Sequence, residues 1–155
     1  DMQALILQLQ PGEIIRAEAG AMMYMSDAIH METTLGGASD GGLLGGLMSG
    51  LKRAVSGESF FITTFQAQGQ PGEVAFTPPY PGKVVPLNLS ELGDVTCQRD
   101  CFLCSESHIS INIAFTRKFG AGLFGGEGFV LQRLSGQGQA YIHSGGFIVE
   151  KTLAP

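Results

Sequence analysis

Tryptophan is absent, cysteine and histidine occur three times each, and nine lysines and arginines stand against fourteen aspartates and glutamates in 155 residues. Each shortage excludes something. With a net charge of −5 and basic pairs only at Lys52-Arg53 and Arg117-Lys118, no positive field exists to displace counterions from a phosphate backbone. Nucleic acid is therefore not an expected partner. No apolar run approaches the roughly 20 residues a membrane-spanning helix needs; the longest, Gly41–Leu51, is short and rich in glycine. Three closely spaced cysteines are not a disulfide framework. With no such framework, a reducing cytoplasm is the expected compartment.

What is present is glycine, 23 residues of it, set between short apolar runs, with 44% hydrophobic and only 15% charged residues. That composition suits a compact globular protein built on many tight turns. Turn signals recur at Pro11-Gly12, Gln70-Pro71-Gly72, Pro78-Pro79-Tyr80-Pro81-Gly82, Ser135-Gly136 and Ser144-Gly145-Gly146. Between them, Ile109, Ile111 and Ile113 alternate with Ser110, Asn112 and Ala114, the period-two pattern of a half-buried strand. Only Leu47–Val55 offers a helical turn or two, and Gly50 weakens it.

The strands come in two sets. GESFFITTFQAQGQ (Gly57–Gln70) and GEGFVLQRLSGQGQ (Gly126–Gln139) share six of fourteen positions at a spacing of 69, and lead into VAF (Val74–Phe76) and AYI (Ala140–Ile142). Upstream, Gly12–Ser26 matches Gly93–Ser107 at a spacing of 81, and each is followed by a strand-like run, Ile29–Thr34 and His108–Phe115. The spacing falls because the first copy carries a longer glycine-rich insert. The predicted organisation is all-β: repeated units of the β-sandwich or double-stranded β-helix kind, with tight Gly/Pro turns and at most one or two short helices. The first unit covers 1–83 with its insert at 36–57, and the second covers 84–146. Leu153-Ala-Pro155 repeats Leu9-Gln-Pro11, so 147–155 is expected to start a third segment that continues past Pro155.

Two cofactor motifs need testing against this scaffold. Gly120, Gly122 and Gly125 form G-x-G-x-x-G, but that motif holds a pyrophosphate through the helix that follows it, and here Phe129, Val130 and Leu131 follow at strand spacing. Gly45–Lys52 resembles a phosphate-binding loop but lacks the hydroxyl after its lysine. Cys97, Cys101 and Cys104 have the C-x3-C-x2-C spacing that leaves one iron of a cluster open for a ligand. Radical enzymes that use it alternate strands with helices, which this sequence does not, so strand cysteines here are expected to be small buried hydrophobes. The histidines, His30, His108 and His143, form no H-x-H pair and are expected as half-exposed sheet residues. No nucleophile–base arrangement for covalent catalysis is evident. Neither catalytic residues nor a cofactor is expected.

The long motif Ser110–Gly146, with CQRDCFLCSES (Cys97–Ser107), VPLNL (Val85–Leu89) and GAMMYMSDAIHMET (Gly20–Thr33), strongly resembles the family that includes the fungal Altered Inheritance of Mitochondria protein number twenty-four and many uncharacterised bacterial proteins. The resemblance covers nearly the whole chain. It implies a β-rich fold similar to the tryptophan-sensing RNA-binding attenuation protein, homo-oligomers with trimers foremost, and no established enzymatic activity. It also implies that the Phe-Gly-Gly-Glu-Gly element recurs in a further C-terminal segment, and that a cysteine at position 101 is not part of the family pattern.

The expected role is a non-catalytic, self-associating β scaffold. Gly57, Glu58, Gly125, Gly126, Glu127 and Gly128 are expected to be structural turn residues, because Gly-Glu-x-Phe recurs in both units while the cofactor-like glycines and cysteines do not. The alternative is a membrane-surface factor in which Leu43, Leu44, Leu47, Met48 and Leu51 dip into an interface and Lys52 and Arg53 meet anionic headgroups. The same apolar residues could instead cover a subunit contact. An iron–sulfur protein is the third reading.

Overall fold

A computed structural model describes residues 2–18, 20–35, 61–117 and 129–153. The calls on the insert (36–57, with Leu43, Leu44, Leu47, Met48, Leu51, Lys52 and Arg53) and on the turn residues Gly57, Glu58, Gly125, Gly126, Glu127 and Gly128 lie outside these residues. The described chain is almost all strand. In order come β1 (Leu5–Leu9), β2 (Ile14–Glu18), β3 (Met22–Met25), β4 (Ile29–Leu35), β5 (Phe61–Ala67) and β6 (Gly72–Phe76). These are followed by β7 (Gly82–Asn88), the one-turn helix α1 (Leu89–Leu92), β8 (Val95–Gln98), a 3-10 turn at Arg99–Cys101, β9 (Phe102–Glu106), β10 (Ser110–Arg117), β11 (Phe129–Ser135) and β12 (Gln139–Gly145).

Helix α1 has a local cause. Asn88 caps it by accepting a hydrogen bond from the Ser90 amide at 3.1 Å, and Gly93 ends it with φ of 73°. A side-chain acceptor at one end and a left-handed glycine at the other are what a short helix requires.

Three sheets result: β1-β6-β3, β10-β11-β8, and a six-stranded sheet in the order β4-β5-β2-β9-β12-β7, with every pairing antiparallel. The order is that of one unit used twice. In the first half, β1-β6-β3 faces β4-β5-β2; adding six to each strand number gives β7-β12-β9 and β10-β11-β8. This is the strand order of a small jelly roll, a long hairpin folded over on itself. The copies agree in detail. Met23 is the extra residue of a bulge where β3 pairs with β6, and Leu103 is the extra residue where β9 pairs with β12. Gly69 and Gly138, matched in sequence, both have positive φ (74° and 121°).

The register of the structure corrects the sequence repeat by one residue in β2 and β3. Met22 corresponds to Phe102 and Tyr24 to Cys104 through their partners on β6 and β12, and Ala17 corresponds to Cys97 through β5 and β11. A one-residue slip along a strand exchanges its two faces. The matched sequence pairs Cys97 with Arg16; the structure pairs it with buried Ala17.

Two apolar cores lie on opposite sides of this arrangement. One gathers Leu9, Ile15, Ala17, Phe65, Val74, Phe76, Leu103 and Cys104, with Phe65 and Phe76 edge to face at 5.2 Å. The other gathers Ile62, Leu87, Leu89, Cys97, Phe102, Ile109, Ile111, Leu134 and Ala140. The alternation read from the sequence holds: Ile109 and Ile111 are buried, whereas Ser110, Asn112 and Ala114 are exposed.

Candidate functional site

The junction between the two halves is made by β2 and β9, which pair with Ile15 opposite Glu106, Arg16 opposite Ser105 and Ala17 opposite Cys104. It joins β4-β5-β2 to β9-β12-β7 edge to edge and so creates the six-stranded sheet. Arg16 locks it. Its Nη2 donates to the carbonyl of Ser107 and, at 2.6 Å, to that of Ile109, so a side chain from the first half closes the β9–β10 turn of the second. That turn is also held by Glu106, which accepts from the Gln139 amide at 3.1 Å and lies 3.3 Å from His108 Nε2.

The three cysteines do not converge; of them only Cys104, opposite Ala17, belongs to this junction. Cys97 is buried in one core with half-buried Cys101 against it, and Cys104 is buried in the other. Burial pushes the Cys97 thiol up to about 11, and the neighbouring Cys101 adds to the shift. Burial raises Cys104 further, and it raises Cys101 as well. Thiolate is the metal-binding form, and these surroundings disfavour it. Among the described residues no group of three His, Cys, Asp or Glu side chains is placed to hold a metal. The C-x3-C-x2-C spacing is therefore produced by a strand, a 3-10 turn and a strand that send its first and last members to different cores.

One histidine departs from expectation. His30 and His108 are exposed, but His143 is 2% exposed, because β12 runs between β9 and β7 in the six-stranded sheet and is covered on its face. Neither of its ring nitrogens has a hydrogen-bond partner, and burial lowers its pKa, keeping the imidazole neutral. Tyr80 packs against it at 4.7 Å between ring centroids, inclined at 64°. Gly82 makes room: a Cβ at that position would collide with Nε2 of His143 and the carbonyl of Ser144. His143 lines a cavity of about 390 Å³ at the meeting of the two halves. The end of β2 contributes Glu18, the 3-10 turn contributes Asp100, and the proline-rich connection contributes Tyr80. Glu18 is held above the usual carboxylate range by burial first and by Asp100 second, with Arg99 opposing. Of these residues, only the Pro-rich turn carried a signal in the sequence. A second cavity, about 400 Å³, opens beside Glu13, Glu106 and His108.

Duplicated jelly-roll-like units joined through a shared sheet define the class of protein. The sequence pattern described as Mitochondrial biogenesis AIM24 matches residues 1–155, and the chain belongs to that family. It is similar to an uncharacterized protein of Streptococcus pyogenes serotype M6, with 31% identity over 149 residues that make up 95% of this chain and 58% of that protein. It is also similar to the crystal structure of a protein from Streptococcus pyogenes, with a TM-score of 0.67 and 24% identity, over 94% of this chain and 64% of that one. At that identity the structural likeness shows the fold. The chain thus spans less than two thirds of the length of either relative. Among the described residues, no helix is long and apolar enough to cross a membrane.

Proposed function

We propose that the protein is a non-catalytic β scaffold that associates with itself by repeating, between copies, the strand pairing that joins its own two halves. One observation carries this reading. β9 is joined by β2, and Leu103, Cys104 and Ser105 on it are 2%, 0% and 0% exposed. Their counterparts on β3, Met23, Tyr24 and Met25, are 59%, 41% and 37% exposed, and β3 is an edge strand among the described residues. The counterpart of β2 is β8, likewise an edge strand among the described residues. The two edge types joined inside the chain are thus both presented outward once more, and an unpaired edge with apolar side chains is a template for strand addition.

Carrying over the register of the internal joint sets Val95, Thr96 and Cys97 of one copy opposite Ser26, Met25 and Tyr24 of the next. Such a contact is heterologous, so it forms a ring when its rotation closes; three copies is the number the family resemblance implies. The two repeat units at 1–83 and 84–146 are the modules of that assembly, and acidic net charge leaves nucleic acid outside the proposed partners. Light scattering at tens of micromolar tests the reading. The wild-type chain is expected to be a defined oligomer, and Met23→Lys/Met25→Lys is expected to be monomeric with an unchanged circular dichroism spectrum. A monomeric wild type, or an oligomer indifferent to those charges, overturns it.

A further inference from the structure

We propose that Met23 and Met25 are a reversible oxidation site, at which conversion of thioether to sulfoxide releases one copy of the chain from the next. This rests on the self-association already proposed and names what regulates it. Methionine makes up three of the four residues of β3, half of the six in the chain. The residues that favour strands are β-branched or aromatic, and edges are guarded by charge or proline. Methionine offers neither; it brings an adaptable apolar surface and a sulfur that takes up oxygen. The joint inside the chain is made without it, since β2 reads IIRAE and β9 reads FLCSE. Peroxide chemistry on methionine therefore discriminates between the two joints.

Met22 packs against the first core, but Met23, the extra residue of the bulge, is 59% exposed and Met25 is 37% exposed. A copy whose β3 edge is unpaired thus presents both sulfurs to a hydroperoxide. A sulfur lone pair attacks the terminal peroxide oxygen, an S–O bond forms and the O–O bond breaks. Sulfur is oxidised, the peroxide is reduced, and its second oxygen leaves as water or an alcohol carrying the peroxide's proton. A dithiol reverses the step through methionine sulfoxide reductases, the oxygen departing as water and the dithiol becoming a disulfide. The effect on association follows from the counterpart of Met23. Leu103 is 2% exposed in an apolar core, so a sulfoxide on Met23 would enter an apolar site, and burying it without a hydrogen bond is costly.

The test treats the diluted, dissociated chain with hydrogen peroxide, removes it with catalase, and adds dithiothreitol to restore the cysteines while leaving sulfoxides in place. Peptide mass spectrometry then locates added oxygen, and light scattering reads the assembly. One oxygen is expected on each of Met23 and Met25, with the dissociation constant between copies raised about 100-fold and the circular dichroism spectrum unchanged. Methionine sulfoxide reductases with a dithiol should restore the oligomer. Met23→Leu/Met25→Leu should assemble as the wild type does and ignore peroxide, although exposed Met2 and Met31 remain oxidisable. Absence of oxygen at positions 23 and 25, an unchanged dissociation constant once it is there, or equal dissociation of the leucine variant would each overturn the inference. A wild type that is monomeric before any oxidation overturns the self-association and this inference with it. A wild type that assembles, is dispersed by Met23→Lys/Met25→Lys and is unmoved by the two sulfoxides overturns this inference alone.

Discussion

The residues that matter most are polar groups placed where water cannot reach them. Arg16 satisfies two backbone carbonyls across the junction, at Ser107 and Ile109. Arg16→Met keeps the apolar stem but leaves those carbonyls short of a donor; a loss of about 1–3 kcal/mol is expected, measured by urea denaturation. His143 makes a pH prediction. Its folded pKa lies below the ordinary 6.5 because burial disfavours the cation. Below that pH the unfolded chain takes up a proton that the folded chain refuses, so the stability contributed by the neutral ring is present above pH 6.5 and lost as pH falls. Glu18, raised from its ordinary 4.5, acts in the other direction, its contribution fading as pH rises above that value. Comparing wild type with His143→Leu between pH 5 and 8 isolates the histidine: the variant should lose less stability toward acid. None of this could be read from the sequence. A histidine between Ile142 and Ser144 has no local mark of burial; its environment is set by strands β9 and β7, distant in the chain.

At the scale of elements, turn chemistry fixes geometry. Gly138 has φ of 121°, and a Cβ there would strike the Glu106 carboxylate that holds the Gln139 amide. Gly138→Ala should therefore cost more than Gly12→Ala, whose added methyl meets nothing within 4 Å although its φ is also positive. Thermal unfolding of the two variants makes the comparison directly. The cysteines follow from elements too. Cys97 and Cys104 are strand residues facing separate cores, so alkylation under native conditions should modify half-buried Cys101 first, with the other two reacting only as the protein opens. Mass spectrometry of a timed iodoacetamide reaction reads this order. The strands themselves were legible, since Ile109, Ile111 and Ile113 announce their period; α1 was not, because the sequence pattern offered a helical turn only at Leu47–Val55 and four residues marked by nothing but their caps, Asn88 and Gly93, show no helical period. What sequence matching misplaced was register in β2 and β3: nothing in Gly12–Ser26 marks which residue stands opposite which, and only the pairing of these strands with β5 and β6 settles it.

For the whole molecule, the duplicated strand order explains why the two halves are not equivalent in what they expose. One pairing, β2 with β9, turns two three-stranded sheets into one of six and buries Leu103, Cys104 and Ser105, while the corresponding face of β3 stays open. The self-association proposed above is the same contact made again, and the cavity around His143 is a by-product of the first one, because Glu18 comes from one half and His143 from the other. By itself, the sequence determined the all-β class, the two-fold repeat and its turns, since apolar alternation and the φ demands of glycine and proline are local properties of the chain. Only the tertiary structure decided which edges meet, which face each cysteine takes and where a neutral histidine is sealed from water. Those depend on strand register and on burial, and both are set by residues that lie far apart in sequence.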